Sequence, residues 1–161
     1  MKKIISMILF CMMLSVILAG CAKQPAQPVT MGNPWSDWES LEEAEAAVGF
    51  SLGLPVVISQ YEAVSFRTMS GELLEVIYRY EESEICVRKQ AGEGQDISGD
   101  YSEYEIRTET KFDGGTMTSY QTFDTPAVRH LINYQGYSWS LVASNGYWEN
   151  SSQDFLNEIL N

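Results

Sequence analysis

The fold of this chain is decided by one stretch of alternating residues, Leu73-Leu74-Glu75-Val76-Ile77-Tyr78-Arg79-Tyr80, then Glu81-Glu82-Ser83, then Glu84-Ile85-Cys86-Val87-Arg88-Lys89. In an extended chain, Leu74, Val76 and Tyr78 fall on one face, while Glu75 and Arg79 fall on the other. The second run repeats this alternation after a short polar turn. Two such runs predict an antiparallel pair of strands.

The same period of two continues toward the C-terminus. Residues 103–111 and 116–123 flank the turn Asp113-Gly114-Gly115, and residues 128–133 and 137–143 flank a second turn at 134–136. Glycine-bearing turns between alternating runs are typical of hairpins. In the last predicted strand one face carries Tyr137, Trp139, Leu141 and Ala143.

Upstream, residues 56–58 and 63–67 are further predicted strands, and a helix is predicted over 40–48. Ser40 and Glu43 have the spacing of a capping box, and Gly49 is a natural helix stop. A terminal helix is predicted after Ser151 or Ser152; its apolar residues are Phe155, Leu156, Ile159 and Leu160. The fold class predicted is α+β: a single domain with a mostly antiparallel, meandering sheet of six to seven strands and an N-terminal and a C-terminal helix on one face.

The N-terminus has the composition of an export signal. Lys2 and Lys3 precede an apolar run from Ile4 to Leu18, which is short for a membrane span. Leu18-Ala19-Gly20-Cys21 resembles the lipobox of a bacterial lipoprotein signal peptide. That resemblance implies cleavage before Cys21, lipidation of the Cys21 thiol and a location on the extracytoplasmic side of the cell membrane. An uncleaved anchor and an ordinary secretory peptide are the alternatives.

The predicted organisation is therefore a signal peptide over 1–20, a flexible proline-bearing tether over 21–32 and a folded domain over 33–161. Cleavage leaves 161 − 20 = 141 residues and removes Lys2 and Lys3, which changes the formal charge from −12 to −14. So acidic a domain repels nucleic acid and anionic lipid head groups. We therefore expect no nucleic-acid partner, and membrane attachment through the lipid at Cys21 alone.

Cysteine usage adds a second constraint. Of the three cysteines, Cys11 lies in the signal and Cys21 is the predicted lipid site, so Cys86 alone remains. A mature chain with one remaining thiol cannot form an intramolecular disulfide. Cys86 lies in a predicted strand, where a buried, inert thiol is expected.

Several short motifs resemble a domain of unknown function that occurs in bacterial membrane-attached extracytoplasmic proteins. They are Asn33-Pro34-Trp35, Leu41-Glu42-Glu43-Ala44, Val48-Gly49-Phe50, Leu54-Pro55, Glu75-Val76-Ile77-Tyr78, Val87-Arg88-Lys89, Asp96-Ile97-Ser98-Gly99-Asp100-Tyr101 and Gly136-Tyr137-Ser138-Trp139-Ser140-Leu141. The resemblance spans residues 33–160. It implies no catalytic residues, because that family has no assigned activity. The chain departs from it at Ala127-Val128-Arg129-His130, where an aromatic residue is expected.

Few residues point to chemistry. His130, the only histidine, lies beside Arg129 in a predicted strand and is expected at the surface or on an edge strand. Oxygen ligands for calcium occur at 96–103, in Asp96, Ser98, Asp100 and Glu103, but without EF-hand spacing, so a solvated acidic loop is expected. No histidine–cysteine cluster exists for zinc. We predict no cofactor, no metal site and no catalytic site.

Aromatic residues are numerous, with four tryptophans and nine tyrosines. Those in or beside predicted loops are Tyr61, Tyr101, Tyr104, Tyr120, Tyr134, Tyr137 and Tyr147. Such residues are enriched in interfaces and pockets, and also in strands. The function expected is a noncatalytic binding or sensory lipoprotein with a protein or cell-envelope partner. The alternatives are a carrier of apolar ligands or lipids between sheet and helices, and an extracytoplasmic hydrolase.

Overall fold

A computed structural model describes residues 33–123, 128–144 and 149–160. Cys21, the predicted signal peptide and tether, and Tyr147 lie outside the described residues. The elements, in chain order, are β1 (Trp35–Trp38), α1 (Leu41–Val48), β2 (Val57–Ile58), β3 (Tyr61–Met69), β4 (Leu73–Tyr80), β5 (Ser83–Ala91), β6 (Ile106–Phe112), β7 (Gly115–Gln121), β8 (Val128–Tyr134), β9 (Tyr137–Ser144) and α2 (Glu149–Leu160).

All these strands belong to one antiparallel sheet. Its order is β1-β3-β4-β5-β9-β8-β7-β6, with β2 paired to β3 beside β1. Two meanders, β2 to β5 and β6 to β9, meet where Val87 of β5 lies opposite Leu141 of β9. The predicted α+β class, dominated by antiparallel strands and completed by two helices, is confirmed.

The predicted strand number was wrong. The described residues form nine strands instead of six or seven. The strand that the sequence did not predict is β1, with four residues, whereas β2, with two, lies within the strand predicted at 56–58. A strand of four residues is too short for its alternation to be recognised in the sequence. It forms because the edge of β3 offers free backbone partners.

Helix α1 follows the predicted boundaries closely. Ser40 is its N-cap and accepts a hydrogen bond from the Glu43 amide at 3.3 Å. Gly49 ends it at φ +79°, donating its N–H to the Glu45 carbonyl. The capping box differs in one bond, because the Glu43 carboxylate accepts from the Glu39 amide instead of the Ser40 amide.

The core lies between the helices and one face of the sheet, here called the helix face. Phe155 of α2 meets the ring of Tyr78 edge-on, with centroids 5.0 Å apart. The cluster is completed by Leu41, Ala44, Leu52, Leu54, Ile58, Tyr61, Leu74, Val76, Ile85, Val87, Ile132, Trp139, Leu141, Ala143, Leu156 and Ile159. Burying these side chains is the main driving force for this packing.

The opposite face of the sheet, here called the loop face, is covered by the connection between β5 and β6 at residues 92–105. The backbone N–H of Gln95 donates to Ser138 Oγ at 3.2 Å, and the Arg88 guanidinium donates to the Ile97 carbonyl at 3.0 Å. Ile97 and Ser98 are buried. The expectation of a solvated loop was therefore wrong for its centre, which packs against polar side chains of the sheet.

Candidate functional site

A lysine lies on the apolar side of the sheet. Lys89 continues the face of Ile85 and Val87, and its strand partners are Leu74 on β4 and Trp139 on β9. Only 8 % of its surface is exposed. Buried ammonium groups are rare and require partners, which marks this position as a candidate site.

Two backbone carbonyls hold the ammonium. Lys89 Nζ donates to the Ser51 carbonyl at 2.6 Å and to the Leu52 carbonyl at 3.2 Å. Glu45 of α1 fixes this loop, since its carboxylate accepts from the Leu52 amide at 2.6 Å. Helix α1 therefore positions the acceptors of Lys89.

Aromatic rings complete its surroundings. Lys89 Nζ lies 4.3 Å from the ring centroid of Trp139, 4.4 Å from that of Tyr137 and 5.9 Å from that of Phe50. The rings of Phe50 and Tyr137 also contact each other, with centroids 5.4 Å apart. Cation–π attraction offsets part of the desolvation cost of the charge.

Burial lowers the pKa of Lys89 from 10.5 to about 8, an effect that the negative charge of Glu45 partly opposes. At pH 7 the protonated form therefore still exceeds the neutral form by about tenfold. The site presents a cation to whatever enters it.

Lys89 lines a cavity of about 200 Å³, here called the Lys89 cavity. It lies between β5, the β8–β9 turn, the loop after α1 and the last turn of α2; its walls are Leu52, Gly53, Lys89, Tyr134, Gln135, Tyr137, Trp139, Glu158 and Ile159. Trp139 is one of these walls; its indole Nε1 has almost no accessible surface and no hydrogen-bond partner within the described residues. A buried donor left without an acceptor costs on the order of 1–3 kcal/mol, so a small movement of the indole that brings its N–H to an acceptor is favourable.

The loop face carries a second charged cluster, which is satisfied internally. Glu75, 1 % exposed, forms salt bridges to Arg67 and Arg88, and both guanidinium groups stack on Trp35. Cys86 is half-buried on the same face, and burial together with the Glu75 charge raises the pKa of its thiol to about 12. A thiol held in this way is a poor nucleophile.

The oxygens considered as calcium ligands meet an arginine instead. Arg129 donates to Asp96 and Ser98, each at 3.3 Å, and to the Asp100 carbonyl at 2.8 Å. Its guanidinium lies against the rings of Tyr104 and Tyr120, which also contact each other, and Glu103 is exposed. In residues 33–123, 128–144 and 149–160, no group of three or more histidine, cysteine, aspartate or glutamate residues is arranged to hold a metal ion.

The expected position of His130 was wrong. His130 lies on the interior strand β8, between β7 and β9, and is 7 % exposed. Its Nδ1 is 2.8 Å from Ser119 Oγ on the neighbouring strand. Burial lowers the pKa of His130 to about 4, so the imidazole is neutral at pH 7 and a weaker base than proton transfer at that pH favours.

The sequence predicted that two aromatic residues of the cavity share one strand face, but it did not predict the buried lysine beside them. Tyr137 and Trp139 were assigned to one face of the last strand, and both line the cavity together with Tyr134. The other tyrosines expected in or beside loops lie in different parts of the structure. Tyr61 is buried, Tyr101 is 96 % exposed, and Tyr104 and Tyr120 contact Arg129. The alternation Ile85, Val87, Lys89 was the available signal for a lysine on the core side.

No protein-family model, no curated protein and no solved structure matches this chain. Within the described residues, neither helix has the length and apolar character needed to cross a bilayer.

Proposed function

We propose that this chain is a membrane-anchored extracytoplasmic binding module without catalytic activity, and that its ligand occupies the Lys89 cavity. The anchor is the predicted lipid at Cys21, and the tether over 21–32 presents the domain to the space outside the membrane. The ligand is a component of the cell envelope. Tethering confines the domain near that component, so a weak contact suffices.

The proposal rests on two residues that line one cavity, a buried cation and an indole whose buried donor has no hydrogen-bond partner within the described residues. Lys89 and Trp139 are 8 % and 5 % exposed. Ordinary cores satisfy such groups internally, as the Glu75 cluster does on the other face. The walls of the cavity combine aromatic and aliphatic side chains with polar ones, and small-molecule sites likewise place a few polar groups among apolar ones.

The carrier alternative receives less support from this geometry. The space between sheet and helices is filled by side chains such as Tyr61, Tyr78 and Phe155. The cavity of about 200 Å³ is smaller than the pockets of roughly 300–1,000 Å³ that enclose drug-sized ligands. An acyl chain needs more room than this.

The hydrolase alternative rests on the Ser119–His130 pair. A serine within hydrogen-bond reach of a histidine is the minimum for nucleophilic catalysis. We expect Ser119→Ala to leave hydrolysis of p-nitrophenyl acetate at the level of the unaltered protein. Turnover that Ser119→Ala abolishes while the melting temperature is unchanged would establish the hydrolase instead.

The binding proposal is tested by nuclear magnetic resonance on the whole mature chain with ¹⁵N-labelled tryptophan indoles. A panel of anionic, neutral and cationic small molecules is titrated in turn, and the Trp139 signal is assigned with Trp139→Phe. We expect a subset to shift the Trp139 indole signal saturably. The signal of Trp35, on the loop face, serves as the internal control and should not move.

Absence of any compound that shifts Trp139 would contradict the proposal. So would shifts of equal size at Trp35 and Trp139, because they would report a general effect on the protein instead of occupation of the cavity.

A further inference from the structure

Resting on the proposed function, we infer that the ligand of the Lys89 cavity is a small carboxylate anion, whose head group accepts hydrogen bonds from the Lys89 ammonium and the Trp139 indole N–H.

The hydrogen-bond donors set the head group. An ammonium has three N–H donors, and Lys89 gives two of them to the Ser51 and Leu52 carbonyls. Its third donor and the Trp139 indole N–H are not used by the described residues. Lys89 and Trp139 are paired neighbours on β5 and β9, and a carboxylate, which has two oxygens and accepts without donating, matches their two donors once the buried indole N–H turns toward the cavity.

The charge of the wall sets the charge of the ligand. Among the residues that line the cavity, Lys89 carries the positive charge, and Glu158, an exposed residue of α2, carries the negative charge. Lys89 is buried, whereas Glu158 contacts solvent. A ligand in the cavity therefore feels the charge of Lys89 through a lower effective dielectric constant than the charge of Glu158. An anion is therefore favoured at the inner end, and Glu158 weakens its binding slightly from the rim.

The volume sets the size. An apolar cavity of about 150 Å³ accommodates a benzene molecule. The Lys89 cavity, at about 200 Å³, therefore accommodates one ring-sized group with its carboxylate. The faces of Tyr137 and Trp139 supply apolar contact for such a group.

The experiment compares benzoate, benzamide and benzylamine, which share a ring and differ in charge. Each is titrated at pH 7 into the whole mature chain, and the Trp139 indole signal is followed. We expect benzoate to bind about tenfold more tightly than benzamide, because its hydrogen bonds are charge-assisted. Benzylamine should leave the signal unchanged.

Amino-acid substitutions test whether the preference for benzoate arises in the Lys89 cavity. We expect Lys89→Gln to weaken benzoate binding about tenfold and to abolish its preference over benzamide. Lys111→Gln, on the exposed strand β6, is the matched control and should change neither. Glu158→Gln should strengthen benzoate binding about twofold, an increase that loss of structure cannot produce.

Should Lys89→Gln fail to fold, Glu158→Gln and Trp139→Phe still decide the matter. Trp139→Phe keeps the ring and removes the N–H, so it should weaken benzoate binding, measured by ligand-observed resonance, more than it weakens benzamide binding. Trp38→Phe removes an indole N–H outside the cavity and should have no effect on binding.

Benzamide or benzylamine binding as tightly as benzoate would overturn the carboxylate assignment and leave the binding module standing. Other compounds of the panel could shift the Trp139 indole signal while none of these three compounds does. In that case the assignment of a small carboxylate is wrong, and the proposed binding function stands. If no compound of any charge shifts Trp139, both proposals fall.

Discussion

Glu75 shows how a charged residue is accommodated inside the sheet. Its carboxylate is 1 % exposed and bonded to Arg67 and Arg88, and Arg88 also donates to the Ile97 carbonyl. Each buried charge therefore has partners, so the cluster needs no ligand. Lys89 differs because its neighbours leave hydrogen-bonding capacity unused inside a cavity.

We expect Glu75→Gln to lower the free energy of unfolding by about 3 kcal/mol, because two partly buried guanidinium groups lose the buried charge that pairs with them. Urea denaturation measures the change. Glu84→Gln is the control, since Glu84 pairs with Arg79 in a largely exposed bridge and should cost under about 1 kcal/mol. Equal losses in the two variants would show that the burial of Glu75 has no energetic consequence.

His130 predicts a dependence of stability on acid. Its folded pKa is lowered to about 4 from 6.5, so between these values the unfolded chain binds a proton that the folded chain does not. Stability from this residue is complete above pH 6.5 and is lost as the pH falls to 4, by about 3 kcal/mol.

The measurement is urea denaturation of the unaltered chain and of His130→Asn at several pH values. Asn keeps a hydrogen-bonding side chain beside Ser119 but does not titrate. We expect the unaltered chain to lose about 3 kcal/mol more than the variant between pH 7 and pH 4. Parallel pH profiles would contradict the burial of a neutral imidazole.

Among the elements, the connection over 92–105 covers the loop face of the sheet and buries side chains between itself and the strands. It passes close to the sheet at Gly99, where φ is +62° and a Cβ would lie 2.2 Å from Arg88 Nη1. Arg88 cannot give way freely, because Glu75 and the Ile97 carbonyl hold its guanidinium. A side chain at position 99 would break these contacts.

We expect Gly99→Ala to destabilise the protein by at least about 1 kcal/mol more than Gly94→Ala. Gly94 is the matched control: its φ of +83° is strained for alanine in the same way, but a Cβ there meets nothing within 4 Å. Hydrogen exchange should also show faster exchange across 95–100 in Gly99→Ala only. Similar losses in both variants would mean that the close approach to Arg88 contributes nothing.

Periodicity was enough to predict β4, β5, β9 and helix α1, because each is long enough to repeat its pattern. It assigned residues to a face but carried no information about what covers that face. The centre of loop 92–105 was therefore expected in solvent, although long-range packing buries it. His130 was misplaced for a related reason: whether a strand is interior or at an edge depends on the strand order, which local sequence does not encode.

The candidate site was predictable in part. The aromatic face of Tyr137 and Trp139 follows from the period of β9, whereas their neighbour Lys89 depends on the pairing of β5 with β9, a contact across about fifty residues of chain. The cavity itself needs α2 and the loop after α1, and no local pattern encodes their docking.

At the scale of the whole molecule, the proposal joins a membrane anchor to a domain whose net charge repels anionic surfaces. We expect Cys21→Ser to shift the chain from the membrane fraction to the soluble fraction, or to leave it as the uncleaved precursor, because the acyl chains supply the membrane affinity. Cys86→Ser is the control and should stay with the membrane. A mature chain found by mass spectrometry to retain Lys2 and Lys3, or to carry an unmodified Cys21, would contradict the anchor.

A crystal structure of the protein grown with benzoate tests most directly whether the Lys89 cavity is a ligand site. We expect the ring against Tyr137 and Trp139, with carboxylate oxygens within about 3.2 Å of Lys89 Nζ and Trp139 Nε1. Benzoate bound elsewhere, or an empty cavity at a saturating concentration, would contradict it.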